Sequence, residues 1–219
     1  MTDQADTMLR ATAAARLSNA ISRLIDVVGA LTLILAFAPI MLLVAALVAS
    51  EKGGPVLFRQ ARLGKGGKHF MCFKFRTMHV DAAERLQLLL DTDPAARAAW
   101  DKDHKLKDDP RVTLVGGFLR RSSLDELPQL FNVLFSEMAL VGPRPIVDAE
   151  VVRYGPFWPA YCSVKPGITG LWQVSGRNDI AYDERVALDT KYARTRGVLV
   201  DLKILFATVP AVLLRRGSY

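Results

Sequence analysis

The sequence predicts an α+β protein in which one membrane-embedded helix precedes a small, mainly helical domain carrying a β-hairpin. Three observations lead there. The run from Val27 to Ser50 holds no charged residue, and as a continuous helix it would measure about 36 Å, enough to cross a hydrocarbon core of roughly 30 Å. Two β-patterned runs then flank the turn-rich Gly64-Lys65-Gly66-Gly67-Lys68. From Asp81 onward, segments of helical periodicity alternate with proline- and glycine-rich breaks. At 219 residues the chain has room for one globular domain with a real core plus an extra element; two full domains are not expected. Residues 1–20 read as an N-terminal tail, 21–50 as the membrane helix and 51–219 as the remaining domain.

A cleaved signal peptide does not fit the apolar run, which is long and lacks a small-residue cleavage pattern before a polar start. Arg10, Arg16 and Arg23 precede it, and Lys52, Arg59, Arg62, Lys65, Lys68, Lys74 and Arg76 follow it. Both flanks therefore carry the positive charge of cytoplasmic ends. Pro39 removes a backbone hydrogen bond mid-run and kinks a helix there. A broken, re-entrant helix satisfies both observations, while an ordinary kinked span with a short external N-terminus satisfies the second; the residues leave the two readings open.

Val56 to Arg62 and Phe70 to Met78 read as strands. The glycine-lysine turn between them lacks the spacing of a phosphate loop, and no helix pattern follows it, so a plain basic hairpin is predicted. Asp81 to about Asp101 is helical in pattern, with Leu86, Leu89 and Leu90 apolar and Pro94 dividing it. The polar stretch Asp101 to Pro110 is predicted as loop. A short helix follows through Phe118 and Leu119, and Leu127, Leu130, Phe131 and Leu134 give the next helix an apolar face.

In Gly142-Pro143-Arg144-Pro145 the prolines on either side of the arginine restrict the backbone and fix the direction of one guanidinium. Such an arginine can grip phosphate by two prongs at little entropic cost; a solvated arginine on a rigid loop is the plainer reading. Lys165 to Gln173 reads as a turn-rich loop in which Trp172 is a substrate wall or a loop anchor. Val198 to Leu214 is apolar but interrupted by Asp201, Lys203 and Pro210, and ends at Arg215-Arg216. A helix at the membrane interface and a packed C-terminal core helix both fit.

The stretch richest in chemistry is Ser122-Ser123-Leu124-Asp125-Glu126-Leu127-Pro128, just after Arg120-Arg121. Each serine has an acid three residues on, the pattern in which a hydroxyl caps a helix and the later acid reaches back. Both carboxylates are expected in or just before a first helical turn, where free N–H groups favour the ionised acid and any phosphate nearby. The bland reading is a capped surface helix. The context argues for phosphate chemistry, since paired acids sit beside two arginines.

With 29 Lys and Arg against 22 Asp and Glu, the net charge is +7, which suits an anionic partner such as a phospholipid surface, a nucleotide or nucleic acid. Only Cys72 and Cys162 are present, without CxxC spacing, so neither a disulfide framework nor a zinc site is indicated and a reducing compartment is inferred. His69, His79 and His104 show no metal-ligand spacing and read as solvated.

The membrane run, Phe58-Arg59-Gln60-Ala61-Arg62, Lys74-Phe75-Arg76-Thr77-Met78, Leu124-Asp125-Glu126-Leu127-Pro128-Gln129, Val141-Gly142-Pro143-Arg144-Pro145 and Pro166-Gly167-Ile168-Thr169-Gly170 occur in this order. In this the chain resembles the bacterial sugar transferases, the monotopic polyprenyl-phosphate phosphoglycosyl transferases that start exopolysaccharide and O-antigen synthesis. The resemblance runs from about Ser18 to the C-terminus, and the given sequence reads as a short form.

It implies transfer of a sugar-1-phosphate from a UDP-sugar to undecaprenyl phosphate, releasing UMP, at the cytoplasmic face of the bacterial inner membrane. It also implies Mg²⁺ with Asp125 as a protein ligand, a re-entrant membrane helix and a cytoplasmic catalytic domain. The matched positions make Asp125 the nucleophile and Glu126 its assistant. Arg120 and Arg144 would hold phosphate, and Lys74 would lie near the site. The stretch Leu171 to Arg177 points to a hexose, galactose or glucose. One departure is Ala38-Pro39, where several relatives carry serine before the helix-breaking proline. Membrane lipids are expected partners and nucleic acid is not; the oligomeric state is open, a homodimer included.

The chemistry is sensible on its own terms. UMP is a good leaving group once its charge is neutralised, so a carboxylate can attack the sugar-linked phosphorus and the lipid phosphate can attack in a second step. Guanidiniums stabilise the charge that moves onto the equatorial oxygens. The competing reading is a non-catalytic membrane scaffold of a glycan-assembly complex, which has no use for paired acids and aligned arginines. Nucleic-acid binding rests on charge alone, and the basic residues cluster beside the membrane run, where anionic lipids account for them.

Overall fold

The computed structural model describes residues 2–51, 53–103, 106, 108–176 and 180–213, with backbone alone at 2–16, 102, 103, 212 and 213. Lys52, His104, Arg177, Arg215 and Arg216, and the side chains of Arg10 and Arg16, lie outside the described residues. In chain order the elements are α1 (Thr2–Ser50), β1 (Leu57–Leu63), β2 (His69–Phe75), α2 (Ala82–Thr92), α3 (Pro94–Asp103), α4 (Leu114–Ser122), α5 (Gln129–Leu134), β3 (Ala139–Val141), α6 (Val151–Tyr154), α7 (Trp158–Cys162), β4 (Gly167–Thr169), α8 (Leu171–Ser175), α9 (Tyr182–Thr195) and α10 (Val198–Leu213). The fold is mixed, with helices outnumbering two small two-stranded sheets.

The hairpin forms as the turn residues dictate. β1 and β2 pair around a 3₁₀ turn at Lys65–Gly67, where Gly66 and Gly67 take positive φ. Pro94 divides the next helical segment as predicted and opens α3, since it lacks the N–H that a helix interior needs. α1 is one continuous helix with Pro39 inside it, so the break expected at Pro39 is not seen: the proline is accommodated without ending the helix. Within Leu17–Ser50 an 18-residue window reaches a mean hydropathy of 2.8 with 11% of it buried against protein, so the helix is long and apolar enough to cross a membrane.

The chain divides into two compact units. The first combines the opening part of α1 with Arg59–Phe73 and the residues from Gln129 onward; the second is built from Ala38–Phe58 and Lys74–Pro128. In the first unit, α1 is held by polar bonds rather than by apolar packing alone. Arg23 donates to the carbonyls of Val133 (2.7 Å) and Leu134 (3.0 Å) at the C-terminal end of α5, and Asp26 accepts the Leu140 N–H at 2.8 Å.

The core of the first unit gathers Leu63, Ile146, Tyr154, Tyr161 and Val186. Buried tyrosines need partners for their hydroxyls. Tyr161 donates to Leu63 O at 2.8 Å, and Tyr154 donates to Asp189 Oδ2 at 2.7 Å. β3 and β4 run parallel, Ala139 opposite Gly167 and Val141 opposite Thr169. Their ends interlock through glycine. A Cβ on Gly142 would collide with the Lys165 carbonyl, and one on Gly167 or Gly170 would collide with the backbone of Gly142. Bonds of 2.8 Å from Gly142 N to Thr169 O and from Gly167 N to Pro143 O close the contact.

Two expectations change here. Lys165 to Gln173 is not one loop but β4 followed by α8, in which Trp172 is 4% exposed and anchors the segment. α10 is packed in part, as the core-helix reading expects: Ile204 is buried and Thr208 bonds Thr169 at 2.8 Å, while Leu199, Phe206 and Val209 are left exposed. The second unit packs Val44, Val48, Phe75 and Leu119 together, flanked by Leu124 and Leu127. α4 lies so close to the strand end that a Cβ on Gly116 would overlap the backbone of Thr77.

Because the glycine contacts are backbone against backbone, no side chain can move aside. Gly142→Ala and Gly167→Ala are each expected to cost about 3 kcal/mol or more, read as a fall in thermal midpoint by circular dichroism. Gly117→Ala is the control, since its Cβ would come no nearer than 3.4 Å, to the end of the Arg121 side chain.

Candidate active site

The acid dyad is presented by a turn, not by a capped helix. Ser122 is the last residue of α4, and its hydroxyl bonds back to the Phe118 carbonyl at 2.8 Å. Ser123 adopts the left-handed conformation, φ 57°, and stops the helix there. Neither serine is therefore an N-cap: one hydroxyl is occupied, and the other residue lacks the extended backbone that capping needs. A 3₁₀ turn, Leu124–Glu126, follows directly. Leu124 and Leu127 pack on the apolar core and pin the turn from both ends, leaving Asp125 and Glu126 between them.

Four of the predicted site residues meet in the second unit. Lys74, next to last in β2, places Nζ 2.6 Å from Glu126 Oε1 and 4.0 Å from Asp125 Oδ2. Arg120 arrives from the last turn of α4, its Nε donating to Thr77 Oγ1 at 2.9 Å. Asp125 is 7% exposed. Burial, and then repulsion from Glu126, push its carboxyl up to about 6, while Lys74 and Arg120 pull in the opposite direction. At pH 7 such an acid is about nine-tenths ionised. The site thus holds a poorly solvated carboxylate that is charged, faces two cations, and has lost the water shell that would blunt it as a nucleophile.

Arg144 belongs to the first unit, where it is exposed on the glycine-locked loop. That loop is held from below by Arg62, whose Nη1 donates to Pro145 O at 3.1 Å. Sequence reading missed Thr77, the partner that orients Arg120. It also missed Asp189, 2% exposed and pushed up to about 7 by burial. Thr77 had no distinguishing signal beyond its place in the Lys74–Met78 motif, and Asp189 looked like any polar position of α9.

Among the described residues, no three acid, histidine or cysteine side chains cluster closely enough to cage a metal by themselves. Mg²⁺ needs no such cage, since it keeps several waters and is commonly held by one or two carboxylates together with substrate phosphates. Asp125, buried beside Lys74, is the carboxylate that would receive an ion brought in by a phosphate ligand, as the resemblance implies.

A bilayer-length helix in a mixed α+β fold, with a buried aspartate set beside a glutamate, a lysine and an arginine, defines a class of membrane-associated protein with a charged, partly desolvated site. The chain belongs to the bacterial sugar transferase family, whose model matches residues 17–215. It is 48% identical over 206 residues to the undecaprenyl-phosphate galactose phosphotransferase of Salmonella typhimurium, covering 94% of this chain and 43% of that protein. Identity to the UDP-galactose-lipid carrier transferase of Erwinia amylovora is also 48%, over 92% of this chain and 42% of the relative. The exopolysaccharide production protein ExoY of Sinorhizobium fredii is 48% identical over 90% of this chain and 87% of its own length. The chain thus spans about two-fifths of the first two relatives and most of the third.

An acid whose folded pKa lies above its unfolded value binds more protons folded than unfolded, so stability falls as pH rises from about 4 to 6 and stays lower above that. The rise of Asp125 from 3.8 to about 6 corresponds to about 3 kcal/mol at pH 7. Asp125→Asn is therefore expected to raise the thermal midpoint at pH 7.5 and to have a much smaller effect at pH 4. An equal effect at both pH values would contradict the buried, raised carboxyl.

Proposed function

We propose that this protein is a phosphoglycosyl transferase that moves a sugar-1-phosphate from a UDP-sugar to undecaprenyl phosphate, releasing UMP, as the first membrane step of exopolysaccharide or O-antigen synthesis. The observation that carries the reading is Asp125, buried yet ionised at neutral pH, with Glu126, Lys74 and Arg120 around it. A scaffold would gain nothing from a carboxylate that destabilises it. The names of the relatives at 48% identity support the substrates, and those named for galactose favour that hexose, with glucose as the alternative.

In the first step an Asp125 carboxylate oxygen attacks the sugar-linked phosphorus. A P–O bond to UMP breaks, UMP leaves with the electron pair, and the sugar phosphate stays on Asp125 as an acyl phosphate. In the second step an oxygen of undecaprenyl phosphate attacks the same phosphorus, and the Asp125 carboxylate leaves. Lys74 holds Glu126 and offers positive charge to the phosphoryl oxygens; Arg120, directed by Thr77, offers a second cation. Arg144, on its glycine-locked loop, is the third phosphate-holding group of the reading. Mg²⁺ bound with the diphosphate would neutralise the charge on the leaving UMP.

Positive charge on both flanks of the apolar run, with Pro39 within it, supports a re-entrant α1 that enters and leaves from the cytoplasmic face of the inner membrane. A transferase at that surface meets a water-soluble donor and a lipid acceptor that cannot leave the bilayer.

The nanodisc-held protein with Mg²⁺, undecaprenyl phosphate and a panel of UDP-sugars is expected to release UMP from one hexose donor. Asp125→Asn is expected to release none while keeping its fold; turnover by that variant would remove Asp125 as nucleophile. Given donor but no lipid, the wild-type protein should gain the mass of one sugar phosphate in an acid-quenched intact-mass spectrum. An unshifted mass together with normal turnover would indicate direct transfer between the two substrates.

A further inference from the structure

Arg76 is a buried charge that the transfer chemistry does not use. It is 8% exposed, and among the described residues its guanidinium bonds main-chain carbonyls: Nη1 donates to Pro55 at 2.9 Å, and Nη2 donates to Val48 at 3.0 Å and Glu51 at 3.2 Å. Val48 lies in the last turn of α1, where the final carbonyls have no partner within the helix and where positive charge is favoured. The Arg76 N–H also donates to Val56 O at 2.9 Å. Gly54, φ 77°, allows the closest approach: a Cβ there would stand 2.6 Å from Nη1.

The neighbours of Arg76 along the chain all serve the dyad. Lys74 bonds Glu126, Phe75 packs with Val48 and Leu119, and Thr77 orients Arg120. A guanidinium bonded to neutral carbonyls is a costly way to fill space, and an apolar side chain would serve packing as well. What it supplies is direction, because a planar fork with several donors fixes both the helix end and the strand end it joins.

We propose that Arg76 is a positioning residue: by tying the C-terminal end of α1 to the strand end at 74–77, it sets the placement of Lys74 and of the Thr77–Arg120 pair about Asp125. This rests on the transferase reading of the dyad. The Arg76 guanidinium is buried and engaged by carbonyls of the α1 end and the segment after it, so its loss should act on the chemical step and not on donor binding.

UMP release by the full chain in nanodiscs, at saturating lipid acceptor, tests this. Arg76→Gln is expected to lower kcat by roughly ten- to a hundredfold, the scale of an ångström-sized misplacement, with donor KM within about twofold of wild type. Arg76→Lys, which can still reach a carbonyl, is expected to recover part of the loss. In a Lys74→Gln background, whose residual rate is followed with radiolabelled donor, Arg76→Gln is expected to cost a smaller factor than in the wild-type protein, because one of the two groups it places is already gone and only the Thr77–Arg120 pair is left to displace.

The same fractional loss in both backgrounds, or unchanged kcat in a folded Arg76→Gln protein, overturns the inference. Should Arg76→Gln fail to fold by near-ultraviolet circular dichroism, Arg76→Lys carries the same cycle with the same outcomes. Absence of UMP from the wild-type protein would instead overturn the transferase reading itself.

Discussion

Burying an ionisable carboxylate destabilises a fold unless cations or hydrogen bonds answer it, and Asp125 is answered only in part. Lys74 and Arg120 draw its pKa down, but burial and Glu126 prevail and leave it near 6. The packing of Leu124 and Leu127 on Val44, Val48, Phe75 and Leu119 holds the 3₁₀ turn in spite of that cost. Stronger pairing would make the acid more stable and less reactive. Weaker pairing would protonate it at neutral pH. The second unit sits between these limits, and the positions of Lys74 and Arg120 decide where.

Those positions come from the run Lys74-Phe75-Arg76-Thr77, in which each side chain has a different duty. Lys74 faces the acids, Phe75 enters the core, Arg76 takes the end of α1 and Thr77 accepts Arg120. Gly116 presses α4 against the Thr77 backbone, which brings Arg120 within reach of its threonine. A strand end thus serves as the reference for both cations.

The elements ruled by local chemistry were legible in the sequence. Glycine in the turn at 64–68, proline at 94 and alternating apolar residues around them act over a few residues, so hairpin and helix division could be read directly. The dyad stood out beside Arg120-Arg121 as a pattern of charge, while Lys74 was placed near it only by the family resemblance. The serines misled because Ser-x-x-acid is a local rule, and here the leucine packing that fixes the turn prevails over it. Arg23 and Arg76 looked like charges flanking the apolar run and Asp26 carried no signal, yet each bonds a backbone group far away or across a turn. No periodicity announces such a bond. The glycine interlock was hidden for the same reason, since Gly142 and Gly167 meet only once β3 and β4 are paired.

Two ways of fixing a cation are used in one chain, and they suit different tasks. Lys74 and Arg120 are held by side-chain partners, at 2.6 Å to Glu126 and 2.9 Å to Thr77, bonds that can exchange when a phosphate arrives. Arg144 is held by its backbone instead: flanking prolines, the glycine contact and the Arg62 bond to Pro145 fix the loop while its guanidinium stays exposed. A side chain on a rigid loop loses little entropy on gripping a phosphate and gives up no existing ion pair among the described residues. In the proposed transfer the groups beside Asp125 would trade partners, and for them a modest bond is the better anchor. On that proposal the division follows from what each cation would do: one kind waits for charge to arrive, the other manages charge that moves.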